Sequence, residues 1–117
     1  YKRQKYKFDT ALEGPINQYR KAGMMEDATR VALVGPQTGA AQRLFRQRYD
    51  DCRSFFDAEF EKGEDGDNLY YAYGIAAALN GDWTVAVPML EVARERAYAP
   101  KRQQHIDRLL NDRPAKA

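Results

Sequence analysis

Apolar residues recur at spacings of three and four through the middle of the chain, and this spacing constrains the fold more than any other feature. Between residues 41 and 60 the apolar positions are Ala41, Leu44, Phe45, Tyr49, Cys52, Phe55, Phe56 and Phe60. Such a series forms one stripe along an α-helix. Sustained alternation of apolar and polar residues with β-branched enrichment, the pattern of a strand, is missing from the sequence. The sequence therefore predicts an all-α fold.

Turn and cap residues divide the chain into predicted helices. Asp9 or Thr10 can cap the first one, and Pro15 is expected to interrupt it. Asp50 or Asp51 could cap a new helix within the long middle segment, but the unbroken apolar phase favours one continuous helix. The predicted helices span residues 9–14, 15–22, 24–34, 39–62, 69–80, 83–98 (with a mild kink at Pro88) and 101–111.

Large, small and turn residues follow a particular order from residue 69 to residue 100. Tyr70 and Tyr73 are large, Gly74 is small, and Gly81 lies in an Asn-Gly-Asp turn. The second half of the segment continues with Trp83, Ala86, Leu90, Ala93 and Pro100. This segment resembles a tetratricopeptide repeat, a pair of antiparallel helices in about 34 residues. Ala77 departs from the family, which usually has an aromatic residue there.

A weaker match lies upstream, at Leu12, Tyr19, Gly23 and Ala28. The resemblance implies antiparallel helix pairs stacked as a short right-handed solenoid with a C-terminal capping helix. We expect a basic extension at 1–8 and one helical domain at 9–117, with its clearest repeat at 67–100 and its capping helix at 101–112. Within that repeat, the two helices should cross closely where Gly74 meets Ala86.

The resemblance also implies a function, because stacked helix pairs leave a concave face that binds peptides or proteins. The positions expected on that face are Asn68, Tyr71, Ile75, Ala78 and Leu79. Ile75 and Leu79 fit an inter-repeat core equally well, whereas Tyr71 is expected to anchor a partner segment. The predicted function is a non-catalytic scaffold or adaptor module that binds another protein or peptide. The Lys, Asn and Arg set with which some family members clamp a C-terminal carboxylate is not expected here.

Uneven charge and the aromatic stripe raise two alternatives. Residues 1–48 contain ten Lys or Arg against four Asp or Glu, a basic block that could bind an anionic surface. Its candidate residues are Lys2, Arg3, Lys5, Lys7, Arg43 and Arg46. A pI near 8.7 disfavours nucleic acid or a membrane surface as the main partner. The other alternative is a structural or oligomerisation domain of a larger assembly, with or without a membrane anchor, which self-associates through the helix at 41–60.

Catalytic and metal sites lack the necessary residues. The chain has one histidine, His105, expected at the surface, and one cysteine, Cys52, expected to be buried. We predict no catalytic residue, metal, cofactor or small-molecule substrate. The first residue, Tyr1, leads us to expect a processed chain or a piece of a longer protein. Its compartment, cytoplasmic or periplasmic, is left open.

Overall fold

The computed structural model describes the backbone of residues 2–115 and the side chains of residues 10–115. Within that range the chain forms seven α-helices and no strand, which confirms the predicted all-α class. The helices are α1 (Lys2–Lys21), α2 (Met25–Ala32), α3 (Gly39–Gln47), α4 (Tyr49–Glu61), α5 (Asp67–Leu79), α6 (Trp83–Arg96) and α7 (Pro100–Asn111).

Helix α5 lies at the centre of the packing. It packs most extensively against α6 and also contacts α3 and α4. On the N-terminal side, α1 packs against α2 and α3, and α2 packs against α4, while α7 packs against α6. The largest fully buried side chains include Phe45, Phe56, Leu44, Ile75, Leu90 and Ile106. These residues lie on α3, α4, α5, α6 and α7, and they belong to one hydrophobic core.

The prediction of one continuous helix over 39–62 is wrong. Arg48, with φ −134° and ψ 45°, separates α3 from α4. Asp50 and Asp51 lie in the first turn of α4, where their negative charges interact favourably with the positive end of the helix dipole. The N-cap residue is Arg48. The aromatic stripe gave no sign of this break, because the apolar residues of both helices point into the same core.

The expected interruption at Pro15 is also wrong, since α1 runs without a break from Lys2 to Lys21. A proline inside a helix removes one backbone hydrogen bond and crowds the residue before it. Here the preceding residue is Gly14, which has no Cβ atom to clash with the proline ring. The helix also begins well before the predicted start at Asp9, because the backbone of residues 2–8 is already helical.

The turn between α5 and α6 forms as predicted at Gly81, whose φ of +74° is a conformation that glycine adopts without strain. The Asp82 N–H donates to the Ala77 carbonyl at 2.8 Å, and the Gly81 N–H donates to the Ala78 carbonyl at 3.2 Å. This pair of bonds is a Schellman motif, which ends α5 and reverses the chain.

Gly74 marks the close approach of the two helices, and the atoms nearest to an added Cβ belong to Leu90. A Cβ atom at Gly74 would lie 2.5 Å from Leu90 Cδ2 and 3.3 Å from the Leu90 backbone nitrogen. The three nearest atoms all belong to Leu90, which is one turn along α6 from the predicted partner, Ala86. Ala86 is nevertheless fully buried. The close approach of the two helices at Gly74 is therefore present.

Cys52 is fully buried on α4, as predicted. Its Sγ lies 3.5 Å from the Thr29 hydroxyl oxygen on α2. Burial raises the pKa of the Cys52 thiol to about 11, so the thiol stays protonated at neutral pH.

Candidate binding cleft

The apolar residues of α5 that were predicted to lie on a concave face are buried or half-buried. Tyr71 is 2% exposed and Ile75 is fully buried, while Ala78 and Leu79 are half-buried against the core. The reason is that α5 is apolar around its whole circumference, and a helix of this kind is covered on every side. Eight consecutive or nearly consecutive residues of α5 are buried, from Leu69 to Ala77.

Two of the five predicted residues, Asn68 and Tyr71, instead meet side chains of α7. The Tyr71 hydroxyl lies 2.6 Å from His105 Nδ1. The Arg102 guanidinium carbon lies 4.3 Å from the centre of the Tyr71 ring, and Arg102 Nη1 donates to Asn68 Oδ1 at 2.9 Å. Asn68 Nδ2 in turn donates to the Leu33 carbonyl at 2.8 Å. These contacts tie the start of α5 to α7 and to the end of α2.

An open cleft of about 560 Å³ lies over this cluster, between the segment that leads into α3, the start of α5, and α7. We call it the α7 cleft. The side chains that define it are Gln37, Gln42, Tyr71, Arg102, His105 and Arg108. Among the described side chains, the residues that line the cleft are neutral or basic.

The arginines of the α7 cleft differ from most others in the chain. Among the described side chains, Arg102 and Arg108 have no carboxylate partner, as is also true of Arg20, Arg46 and Arg113. Six other arginines have one, in the pairs Arg30–Glu59, Arg43–Glu13, Arg48–Asp51, Arg53–Asp82, Arg94–Asp107 and Arg96–Asp65. The positive charge of the cleft is therefore available to a molecule that binds there.

His105 is half-buried, whereas the sequence had indicated a position at the surface. Burial, and then the charge of Arg108, lower the pKa of its imidazole, which keeps the ring neutral at pH 7. Burial raises the pKa of Tyr71, so its hydroxyl keeps its proton. The Tyr71 hydroxyl and Nδ1 of the ring share one hydrogen bond, whose direction depends on the tautomer of the imidazole.

A second polar cluster, which we call the α4–α6 network, contains Tyr49, Arg53, Asp57, Tyr73 and Asp82. The Tyr49 hydroxyl donates to Asp82 Oδ2 at 2.6 Å, and Arg53 Nη1 lies 3.3 Å from the same oxygen. The Tyr73 hydroxyl donates to Asp57 Oδ1 at 2.8 Å. Burial and this bond raise the pKa of Tyr73 to about 12. Each carboxylate of the network thus has partners inside the molecule.

The residues of the two alternative functions are placed differently. Of the predicted anionic-surface set, Arg43 pairs with Glu13 and Arg46 is exposed, whereas the side chains of Lys2, Arg3, Lys5 and Lys7 lie outside the described residues. The aromatic stripe at 41–60 is packed inward: Phe45 and Phe56 are fully buried and Phe55 is 5% exposed. The stripe therefore forms core rather than a free surface for a second copy.

No group of three or more His, Cys, Asp or Glu residues among the described side chains is arranged to hold a metal ion. In the part of the chain that the structure describes, every helix is too short or too polar to cross a membrane.

No protein-family model, curated protein or solved structure matches the chain. The tetratricopeptide resemblance therefore rests on the residues that carry it and stays a prediction.

Proposed function

We propose that the chain is a non-catalytic protein-interaction module that binds a segment of a partner protein in the α7 cleft. The observation that carries this proposal is the cleft itself, about 560 Å³ in volume and built by side chains from three separate parts of the chain. Tyr71 forms its floor and is held in place by contacts with His105 and Arg102. A preorganised surface loses little entropy when a partner binds.

The packing order of the helices supports this proposal. Contacts join α1 to α3, α3 to α5, and α2 to α4. We infer a short right-handed stack of the pairs α1–α2, α3–α4 and α5–α6, with α7 as the capping helix. In such a stack the first helices line the concave face. The α7 cleft would then be the end of that face, where α3, α5 and α7 converge.

A peptide library displayed on phage tests the proposal directly. Selection on the wild-type chain should enrich peptides that bind it in solution. Gln104→Trp places a large ring in the cleft lining, since Gln104 is an exposed residue there. We expect this variant to lose at least about tenfold in affinity for the enriched peptides, or about 1.4 kcal/mol.

Gln18→Trp is the matched control, because Gln18 is exposed on α1 and outside the cleft. It should bind the same peptides as the wild type does. The proposal is wrong if selection enriches no peptide, or if Gln104→Trp and Gln18→Trp bind the enriched peptides equally well.

A further inference from the structure

We infer that the segment recognised by the α7 cleft is acidic, an extended peptide whose Asp or Glu side chains bind Arg102 and Arg108. This inference rests on the proposed function and adds the chemistry of the ligand. It starts from the difference between these two arginines and the six that have carboxylate partners within the chain.

Arg102 is held ready for a carboxylate. Its guanidinium stacks on the Tyr71 ring at 4.3 Å and donates one hydrogen bond to Asn68 at 2.9 Å. A guanidinium has five N–H donors in a planar fork, so most of them remain available for a bidentate contact. Because the side chain is already fixed by two contacts, a ligand need not restrict it again.

Arg108 adds a second positive charge along the same helix. Its neighbour in sequence, Asp107, is the nearest acid on α7, and Asp107 Oδ1 is bound to Arg94 Nε at 2.9 Å. That carboxylate is therefore engaged on another side of the helix. The charges of Arg102 and Arg108 both oppose the rise in the pKa of Tyr71, and the charge of Arg108 lowers the pKa of His105. Both arginines therefore contribute positive potential inside the cleft.

A peptide fits this surface better than a nucleic acid does. Gln37 and Gln42 line the cleft, and their amides can both donate to and accept from a peptide backbone. Protein surfaces that bind duplex DNA make roughly six to ten phosphate contacts, more than this cleft offers.

Fluorescence anisotropy with a short labelled Glu-Gly repeat peptide tests the inference on the full chain at low salt. The same peptide with Gln in place of Glu is the neutral probe, and we expect it to bind at least about tenfold more weakly. Arg102→Gln should weaken binding of the acidic peptide about tenfold, and Arg108→Gln about threefold, because Arg108 is more exposed to solvent. Arg102→Lys should fall between Arg102→Gln and the wild type, since it keeps the charge and loses the fork.

Arg113→Gln is the matched control: Arg113 is exposed and lines a separate depression outside the cleft. It makes the same change in net charge and should leave the affinity unchanged. The inference is wrong if Arg113→Gln weakens binding as much as Arg102→Gln, or if the Gln peptide binds as well as the Glu peptide. Tighter binding of a single-stranded oligonucleotide of similar length would also overturn it.

The library selection separates this inference from the function on which it rests. Neutral or basic peptides that lose binding to Gln104→Trp would overturn the acidic ligand and leave the interaction module in place. A selection that enriches no peptide would overturn both.

Discussion

The α4–α6 network and the α7 cleft both contain charged side chains beside a tyrosine of α5, and they use them in opposite ways. In the network, Arg53 lies between Asp57 and Asp82. The hydroxyls of Tyr49 and Tyr73 donate hydrogen bonds to Asp82 and Asp57, respectively. In the cleft, Arg102 has only the neutral Asn68 and the Tyr71 ring as partners among the described side chains.

This difference separates stability from binding within one small domain. Polar groups that satisfy each other inside the network stabilise the native state, and removing one leaves the others unpaired. Charges that stay exposed contribute little to stability, and they are available to a ligand. Because Tyr71 and Tyr73 lie two residues apart, α5 is the element on which both regions depend.

Gly74→Val should damage both regions at once and have the largest effect. The new side chain would overlap Leu90, whose Cδ2 lies 2.5 Å from the position of the added Cβ atom. Overpacking of this kind should lower the free energy of unfolding by about 3 kcal/mol, measured by urea denaturation. A loss below about 0.5 kcal/mol, typical of neutral surface substitutions, would contradict the close crossing.

Leu90→Ala provides the internal control for that substitution. On its own it should destabilise the chain, because Leu90 is fully buried. Combined with Gly74→Val, it removes the overlapping atoms, so the double variant should lose less stability than the sum of the two single losses. Strict additivity would show that the introduced valine does not press on the Leu90 side chain.

Asp82→Ala should have the next largest effect and should break only the network. It removes the acceptor of the Tyr49 hydroxyl and one partner of Arg53. We expect a loss of about 2 kcal/mol in the free energy of unfolding, with no change in affinity for the acidic peptide. Asp112→Ala, a change at an exposed aspartate near the end of the described chain, is the control and should stay within about 0.5 kcal/mol.

His105 should make the cleft side of the molecule sensitive to pH, with a smaller effect. Its pKa is lower in the folded chain than the value of about 6.5 in an unfolded one. The unfolded state therefore binds a proton first as the pH falls, and stability decreases below about pH 6.5. Thermal denaturation from about pH 7.5 to 5.5 should show a flatter dependence for His105→Gln than for the wild type. Parallel curves for the two proteins would contradict the lowered pKa.

Arg102→Gln should have the smallest effect on stability and thereby sharpen the comparison. It removes one hydrogen bond and one ring contact at a half-exposed position, so the free energy of unfolding should change by about 0.5 kcal/mol. Its effect on peptide affinity should be larger than its effect on stability. A loss of stability equal to that of Asp82→Ala would place Arg102 among the structural residues instead.

Local signals in the sequence were sufficient for the helical class and for the α5–α6 turn. Gly81 adopts the positive φ that its place after a helix predicts, and the small residue Gly74 does sit where two backbones approach. The break at Arg48 had a local signal in Asp50 and Asp51, but the unbroken apolar spacing outweighed it. The spacing of apolar residues indicates which side of a helix faces the core, and the apolar sides of α3 and α4 face the same core.

The candidate cleft depended on contacts that no local pattern contains. Arg102 and Asn68 are 34 residues apart, as are His105 and Tyr71. The sequence identified Asn68 and Tyr71 as interesting positions and missed that α7 would fold over them. Whether an aromatic residue on an apolar helix is exposed depends on which later segment covers it.

The burial of Cys52 gives the molecule a built-in reporter of its own opening. A thiol that is fully enclosed and protonated at neutral pH reacts with an alkylating dye only in the fraction of molecules whose core has come apart. Since Cys52 is the sole cysteine of the chain, the rate of labelling counts those openings without any engineered probe. A bound ligand that holds α5 and α7 together would slow that reaction.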